Sequence, residues 1–149
     1  MNKGNSSRPN YVVQGAWNQN TDGSWSFTDS NGKLYKNSWG AVVNPYADTA
    51  AGQKAFDWFF FDESGKMITG WFVDADGSIY YFNEASDGTR GRMMTGWCWI
   101  VDANGVQRCY YLNPNSDGTK GKLLINTVID GYTINENDEW TIDGVVQTK

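Results

Sequence analysis

The most constraining feature of this sequence is a short repeat. Turns of the type Asn/Ser-Gly-Lys, aromatic pairs and a marker tryptophan recur in the same order along the chain. The marker tryptophans, separated by 22, 32 and 26 residues, are Trp17, Trp39, Trp71 and Trp97. Units of this length cannot each bury a core of their own, so they must stack on one another.

Each unit predicts a β-hairpin. Short runs of aromatic or β-branched residues flank Asp-Gly or Asn-Gly turns, which is a strong local hairpin signal. The fourth unit is longer than the third by two residues on each side of the same turn, and symmetric lengthening preserves the register of a hairpin. Centring the strands on the turns predicts that Trp17 faces Ser26 and that Trp97 faces Tyr110.

The predicted fold is therefore an all-β solenoid of stacked β-hairpins. Residues 1–14 form an N-terminal tail, residues 15–125 four hairpin repeats, and residues 126–149 a C-terminal capping hairpin. The last segment keeps the hairpin spacing but lacks the Gly-Trp start, and a solenoid needs an atypical terminal unit with a polar outer face. The second unit carries a long insertion between Val42 and Phe56, which is expected to loop out.

The composition places aromatic side chains in the core and excludes several classes of function. Of the 149 residues 15% are aromatic and few are aliphatic, so aromatic rings must supply most of the buried area. The chain has no histidine, which excludes His-dependent nucleophilic catalysis and His-based zinc sites. The net charge of −5 and the lack of a basic cluster argue against nucleic acid as a partner, and no apolar run is long enough for membrane insertion.

No catalytic, metal or cofactor site is expected. The segment that begins at Asp74 superficially resembles a calcium loop, but its twelfth position holds Ala85, where an EF-hand needs Glu. The carboxylates lie in short turn-bounded units, whereas a glycosidase needs a deep cleft with two carboxylates at a set separation. The sequence therefore predicts a protein that is not an enzyme and uses no cofactor.

The two cysteines occupy matched positions in the fourth hairpin. Centring on its turn places Cys98 directly opposite Cys109, at a separation close to disulfide range. One interpretation is a disulfide across the hairpin in an oxidising compartment. The alternative is a pair of reduced, half-buried thiols that take the places of Phe72 and Ile79.

Gly-Trp, an Asp/Asn-Gly turn, triplets such as Trp58-Phe59-Phe60, and Gly-Lys-Met followed by Thr-Gly-Trp recur from Gly15 to the C-terminus. This pattern resembles the choline-binding or cell-wall-binding repeats, with their glucan-binding and clostridial toxin relatives. The resemblance implies a solenoid that tethers surface proteins or wall hydrolases of Gram-positive bacteria to envelope polymers. An extracellular, cell-wall-associated location is then expected. No signal peptide is visible, so this interpretation takes the chain as a piece of a longer protein.

In the choline-binding branch of the family, aromatic residues of successive hairpins cage the trimethylammonium group of teichoic-acid choline. A quaternary ammonium cannot donate hydrogen bonds, so ring faces hold it through cation–π attraction. Ile79 and Cys109 stand where the family's triplet begins with Trp, so the most complete cage is expected in the first half of the chain. Trp99 has no equivalent in the other units and is a candidate replacement. The cage residues implied by the resemblance are Trp17, Trp25, Trp39, Trp58, Phe60, Trp71, Tyr81, Trp97 and Tyr111.

Three functions stay open at this point. The first is a non-catalytic module that anchors a bacterial surface protein to choline-bearing teichoic acid. The second is a carbohydrate-binding module whose aromatic rings stack on the sugar rings of a glucan or glycan. The absence of tryptophan at positions 79 and 109 favours this second function. The third is a degenerate structural or interaction stalk whose rings only pack between hairpins. The expected partner is choline or a glycan of a cell-wall polymer, and a homodimer stays open.

Overall fold

A computed structural model describes residues 8–9, 11–44, 49–51, 55–86, 89–115, 119–125, 127–129, 132–134, 140–142 and 145–147. Its secondary structure is β, apart from a single 3-10 turn at Thr49–Ala51. The strands, numbered in chain order, are β1 Gly15–Gln19, β2 Trp25–Asp29, β3 Ser38–Val43, β4 Phe56–Phe61, β5 Gly70–Val73, β6 Ile79–Phe82, β7 Gly96–Val101, β8 Gln107–Leu112, β9 Thr127–Ile129, β10 Tyr132–Ile134, β11 Trp140–Ile142 and β12 Val145–Val146.

Successive strands pair as two-stranded sheets, β1 with β2, β3 with β4, β5 with β6 and β7 with β8. The prediction of an all-β fold of stacked hairpins is confirmed. In the tail, β9 to β12 form one four-stranded sheet in chain order, and the capping role of this sheet stays a prediction. The insertion of the second unit lies between β3 and β4, although its first and last residues, Val42 and Phe56, belong to the strands. Among the described residues, no helix has the length and apolarity needed to span a membrane.

The register of the hairpins differs by one residue from the prediction. In the fourth hairpin the Gly105 N–H donates to the Asp102 carbonyl at 3.1 Å, and Gly105 has a φ of 81°. The Asp102 N–H donates to the Val106 carbonyl at 2.8 Å, which makes a three-residue loop with a glycine bulge. Because this loop holds an odd number of residues, Trp97 faces Tyr111.

The same correction applies to the first hairpin, where Trp17 faces Phe27 instead of Ser26. Its turn has the same construction, since the Gly23 N–H donates to the Asn20 carbonyl at 2.9 Å and Gly23 has a φ of 89°. Only a residue without a β-carbon adopts this left-handed conformation at little cost. The Asp-Gly and Asn-Gly signals were thus correct as turns, and the assumption of a symmetric turn was wrong.

The predicted disulfide is wrong for the same reason. Cys98 faces Tyr110 across the hairpin, and Cys109 faces Trp99. A one-residue offset between two strands directs side chains to opposite faces of the sheet, so the two sulfur atoms point away from each other. Both cysteines are reduced and buried, with 7% and 2% of their surface exposed. The alternative of two reduced thiols is therefore the one that the structure supports, and the thiols are buried more deeply than expected.

The chain divides into two compact units, one made of residues 1–77 and 82–93 and the other of residues 78–81 and 94–149. The core of the first unit is aromatic, as predicted, with Phe61 fully buried at its centre. The Phe61 ring centroid lies 5.8 Å from that of Trp17, 6.3 Å from that of Phe27 and 5.9 Å from that of Tyr35.

The core of the second unit departs from the prediction of an aromatic interior. Its buried cluster combines one ring, Tyr81, with the aliphatic residues Ile100, Leu112 and Leu123 and with Cys98. The few aliphatic residues of the chain are concentrated here, so they pack a core although their overall number is low.

Backbone hydrogen bonds show how consecutive repeats stack. Each short segment after a hairpin donates to the first residue of the triplet in the preceding hairpin. The bonds run from the Met67 N–H to the Trp25 carbonyl at 2.7 Å, from Met93 to Trp58 at 2.9 Å and from Leu123 to Ile79 at 2.7 Å. The first residue of the triplet therefore contributes to stacking through its backbone carbonyl. Any residue provides that carbonyl, so Trp can be replaced at this position without loss of the fold.

Candidate functional site

Hairpin β3/β4 separates its rings into two sets. Trp39 faces Phe60 and Ala41 faces Trp58, so these four side chains share one face of the hairpin. The opposite face carries Phe61, which fills the core of the first unit. Two-residue periodicity thus directs Phe61 to the core of the first unit, whereas on the other face Trp58 stays half-buried beside the buried Trp39, Ala41 and Phe60.

Trp39 is the fixed element of the second set. It is 2% exposed, and its ring centroid lies 5.6 Å from that of Phe60, 6.2 Å from that of Phe72 and 6.2 Å from that of Trp58, with the two indoles at 82°. Its indole N–H donates to the buried carboxylate of Asp74 at 3.1 Å. A buried indole that is packed and hydrogen-bonded has one orientation, which suits a rigid binding surface.

A cation already lies on these rings. The guanidinium carbon of Arg8 is 4.5 Å from the ring centroid of Trp39 and 5.6 Å from that of Trp58. Both distances are within the roughly 6 Å over which a cation is attracted to a ring face. We call the surface formed by Trp39 and Trp58 the Trp39–Trp58 cage.

The N-terminal segment reaches the cage because it is bound beside β3. The Val13 N–H donates to the Ala41 carbonyl at 2.8 Å, and the Val43 N–H donates to the Val13 carbonyl at 3.0 Å. These bonds form a parallel bridge between Val13 and Val42. Residues predicted only as a tail thus include a short stretch paired with the second hairpin.

The chain is similar to proteins of one family. The family model described as choline-binding repeat matches residues 51–89. The choline-binding domain of Spr1274 from Streptococcus pneumoniae is 38% identical to the chain, with 60% of this chain and 90% of that domain covered and a TM-score of 0.43. The chain belongs to the choline-binding repeat family.

Two larger proteins show the same similarity over more of the chain. CbpJ from Streptococcus pneumoniae is 30% identical over 86% of this chain, with a TM-score of 0.45. CbpF, in a complex with ipratropium, is 30% identical over 85% of this chain, with a TM-score of 0.44. The choline-binding repeats of this chain span 41% of CbpJ and 38% of CbpF. No curated protein matches the chain.

The first choline-binding repeat reproduces part of the geometry of the second. The Trp17 ring centroid lies 5.8 Å from that of Phe61 in the next hairpin, and the Trp39 centroid lies 5.7 Å from that of Phe82. Trp25 occupies the register position of Trp58. Trp17 and Trp39 therefore each pack on the hairpin that follows. The predicted site residues of the first repeat, Trp17 and Trp25, share one face of their hairpin.

In the fourth choline-binding repeat an aromatic ring lies on the first strand of the hairpin, whereas the corresponding ring of the second repeat lies on the second strand. Where Ala41 faces Trp58 in the second hairpin, Trp99 faces Cys109 in the fourth. The sequence singled out Trp99 as a candidate replacement, and the register shows that it stands directly across from the missing ring. Trp97 and Tyr111 lie opposite each other with ring centroids 4.8 Å apart.

The remaining predicted residues have different surroundings. Tyr81 belongs to the core of the second unit. Trp71 is 42% exposed, whereas the other tryptophans whose burial the structure describes are buried or half-buried. The sequence alone does not indicate that Arg8 and Asp74 are parts of the site. A tail arginine and a turn aspartate carry no local signal of a contact with a distant tryptophan.

Three groups with a shifted pKa, Asp22, Lys66 and Asp102, lie at turns, and a fourth, Tyr35, lies in the core of the first unit, where burial raises its pKa. A hydrogen bond from the Lys66 side chain holds the pKa of Asp22 well below its usual range, and the same pair raises the pKa of Lys66. The backbone N–H of Val106, followed by the Arg108 side chain, lowers the pKa of Asp102. Within the described part of the chain, no three Cys, Asp or Glu side chains come together in a way that could hold a metal ion.

Proposed function

We propose that this chain is a non-catalytic cell-wall-binding module that anchors a bacterial surface protein to choline-bearing teichoic acid. The observation that carries the proposal is the position of the Arg8 guanidinium over the faces of Trp39 and Trp58. Ring faces that hold a guanidinium present the electrostatic surface that a trimethylammonium group needs. Membership of the choline-binding repeat family supports the same ligand.

The cage combines a rigid wall with an accessible one. Trp39 is buried and bonded to Asp74, whereas Trp58 is only partly buried and meets Trp39 nearly at a right angle. Two ring faces at this angle contact a compact, roughly spherical cation from two sides. A quaternary ammonium loses little hydrogen bonding when it leaves water, so this enclosure costs it less than it costs an ordinary ammonium.

Several weak sites are expected to act together. Trp97, Trp99 and Tyr111 form a second candidate surface, and Trp17 with Trp25 a third, each on one face of its hairpin. A wall polymer repeats its choline groups, so binding at one site raises the effective concentration of choline at the next. We place the module outside the cell, attached to the wall, as part of a longer protein.

The exposure of Trp71 favours a second candidate function. An indole with 42% of its surface exposed offers a flat apolar face of the kind that stacks on sugar rings. In this alternative the chain is a carbohydrate-binding module for glucans or other wall glycans. Retardation by dextran in affinity electrophoresis, with loss of retardation in Trp71→Ala, would support it. Equal mobility with and without a panel of glycans would exclude it.

The proposed function is tested by a choline titration that is read site by site. The indole N–H resonances of Trp39 and Trp58 are followed in a two-dimensional ¹H–¹⁵N spectrum and assigned with Trp39→Phe and Trp58→Leu. We expect a saturable shift with choline chloride and no saturable shift with sodium chloride at equal ionic strength. Unchanged cage resonances at saturating choline concentrations would refute choline binding at this site.

A further inference from the structure

The cage that the proposed function assigns to choline is occupied by a cation of the chain itself. The Arg8 guanidinium lies on both ring faces, nearer to Trp39 than to Trp58. A second cation cannot use the same ring faces at the same time, and two positive charges in contact repel each other. We propose that Arg8 is an intrachain ligand of the Trp39–Trp58 cage that competes with choline and sets the affinity of this site. This inference rests on the proposed function.

The backbone keeps Arg8 close to the cage. Val13, five residues further along the chain, is bonded on both its N–H and its carbonyl to β3, the strand that carries Trp39. Pro9 follows Arg8 directly and restricts the Arg8 backbone to extended conformations. A ligand on so short a tether has an effective concentration of about the millimolar range, which is enough to occupy a weak cation site.

Arginine has the chemistry of a displaceable occupant. Its guanidinium is planar, always charged and more weakly hydrated than an ammonium, so it stacks on an indole at small desolvation cost. The bonds of Val13 do not pass through the arginine side chain, so Arg8 can leave the rings while the segment stays paired with β3. Choline can therefore replace the guanidinium without unfolding the N-terminal segment.

Competition lowers the apparent affinity for choline, because choline binds only to those molecules in which Arg8 has left the cage. For a site that is open only part of the time, the apparent dissociation constant is the intrinsic constant divided by the open fraction. The attraction of a partly desolvated guanidinium to two ring faces means that Arg8 occupies the cage about 5 to 30 times as often as it leaves the cage open. Removal of Arg8 should tighten choline binding at this cage by about the same factor.

The test compares Arg8→Gln with Arg90→Gln, a matched loss of charge at an exposed arginine whose side chain bonds Ser86 in a connecting loop. Choline is titrated into each variant and the wild-type protein, and the dissociation constant is read from the Trp58 indole resonance. We expect Arg8→Gln to lower the constant about 5- to 30-fold and Arg90→Gln to leave it unchanged. Arg8→Lys, which keeps a cation on the same tether, should remain closer to wild type.

A second readout follows the competitor itself. In the free protein the ring currents of the two indoles should shift the Arg8 side-chain Nε–H resonance upfield, and choline should return it to its ordinary position with the same midpoint. Equal choline constants in wild type and Arg8→Gln, with a saturable Trp58 shift in both, would overturn competition and leave the proposed function standing. Equal tightening in Arg90→Gln would also overturn it, since net charge would then be the cause. If neither wild type nor Arg8→Gln responds to choline, the proposed function fails and the competition fails with it.

Discussion

Asp74 should contribute to stability because it accepts the indole N–H of Trp39. The two groups are 3.1 Å apart, and Trp39 and Asp74 are 2% and 7% exposed. Asp74→Ala removes a charge-assisted hydrogen bond and leaves a buried indole N–H without its acceptor, a loss of about 1.5–3 kcal/mol of unfolding free energy. For a domain of this length the expected fall in Tm is about 2–4 °C per kcal/mol, or roughly 3–12 °C in total.

The measurement is urea unfolding followed by tryptophan fluorescence, together with scanning calorimetry. Asp74→Asn keeps an oxygen acceptor and should lose less stability than Asp74→Ala. Asp76→Ala changes an exposed carboxylate two residues along the same turn and serves as the matched control. A double-mutant cycle with Trp39→Phe isolates the bond itself. If Asp74→Ala were as stable as Asp76→Ala, or if the cycle showed no coupling, the role assigned to Asp74 would be wrong.

Three further predictions concern other parts of the molecule. The Val106 N–H and the Arg108 side chain lower the pKa of Asp102 in the folded state. The contribution of ionised Asp102 to the unfolding free energy is therefore present above the ordinary aspartate pKa of 3.8 and is lost as the pH falls below it. Asp102→Asn should flatten the acid limb of a curve of stability against pH. Unfolded, unreduced protein should release two titratable thiols, and reductant should leave the Tm unchanged; the absence of titratable thiols would restore the disulfide. Trp99→Leu should weaken the choline response of the Trp97 indole and spare that of Trp58, and equal responses would remove Trp99 from the second site.

The sequence was sufficient to predict the architecture because the relevant signals are local. Turn residues and alternating rings specify each hairpin within about a dozen positions, and the recurrence of marker tryptophans specifies the stacking. The same locality explains the error in register. Gly105 takes a left-handed conformation that inserts one residue on one side of the turn, and neither the Asn-Gly pair nor strand length distinguishes this loop from a symmetric one. The mistaken Cys98–Cys109 pair followed from that single residue.

The site was predictable in part. Trp39, Trp58 and Phe60 share a face because their positions relative to one turn place them there, and the family resemblance named all three. Arg8 and Asp74 were not predictable, because each contacts Trp39 across a long stretch of sequence. Such contacts depend on how the segments pack after the hairpins have formed.

The proposed function depends above all on the binding of a quaternary ammonium by the Trp39–Trp58 cage. The most direct measurement is the choline titration of wild type and Trp58→Leu, read at the Trp39 indole resonance that both proteins retain, with sodium chloride as the ionic control. We expect a saturable shift in wild type that is lost in Trp58→Leu, while the remaining indole resonances show that the fold is kept. A wild-type Trp39 resonance that stays unmoved, or that saturates equally in Trp58→Leu, would contradict it.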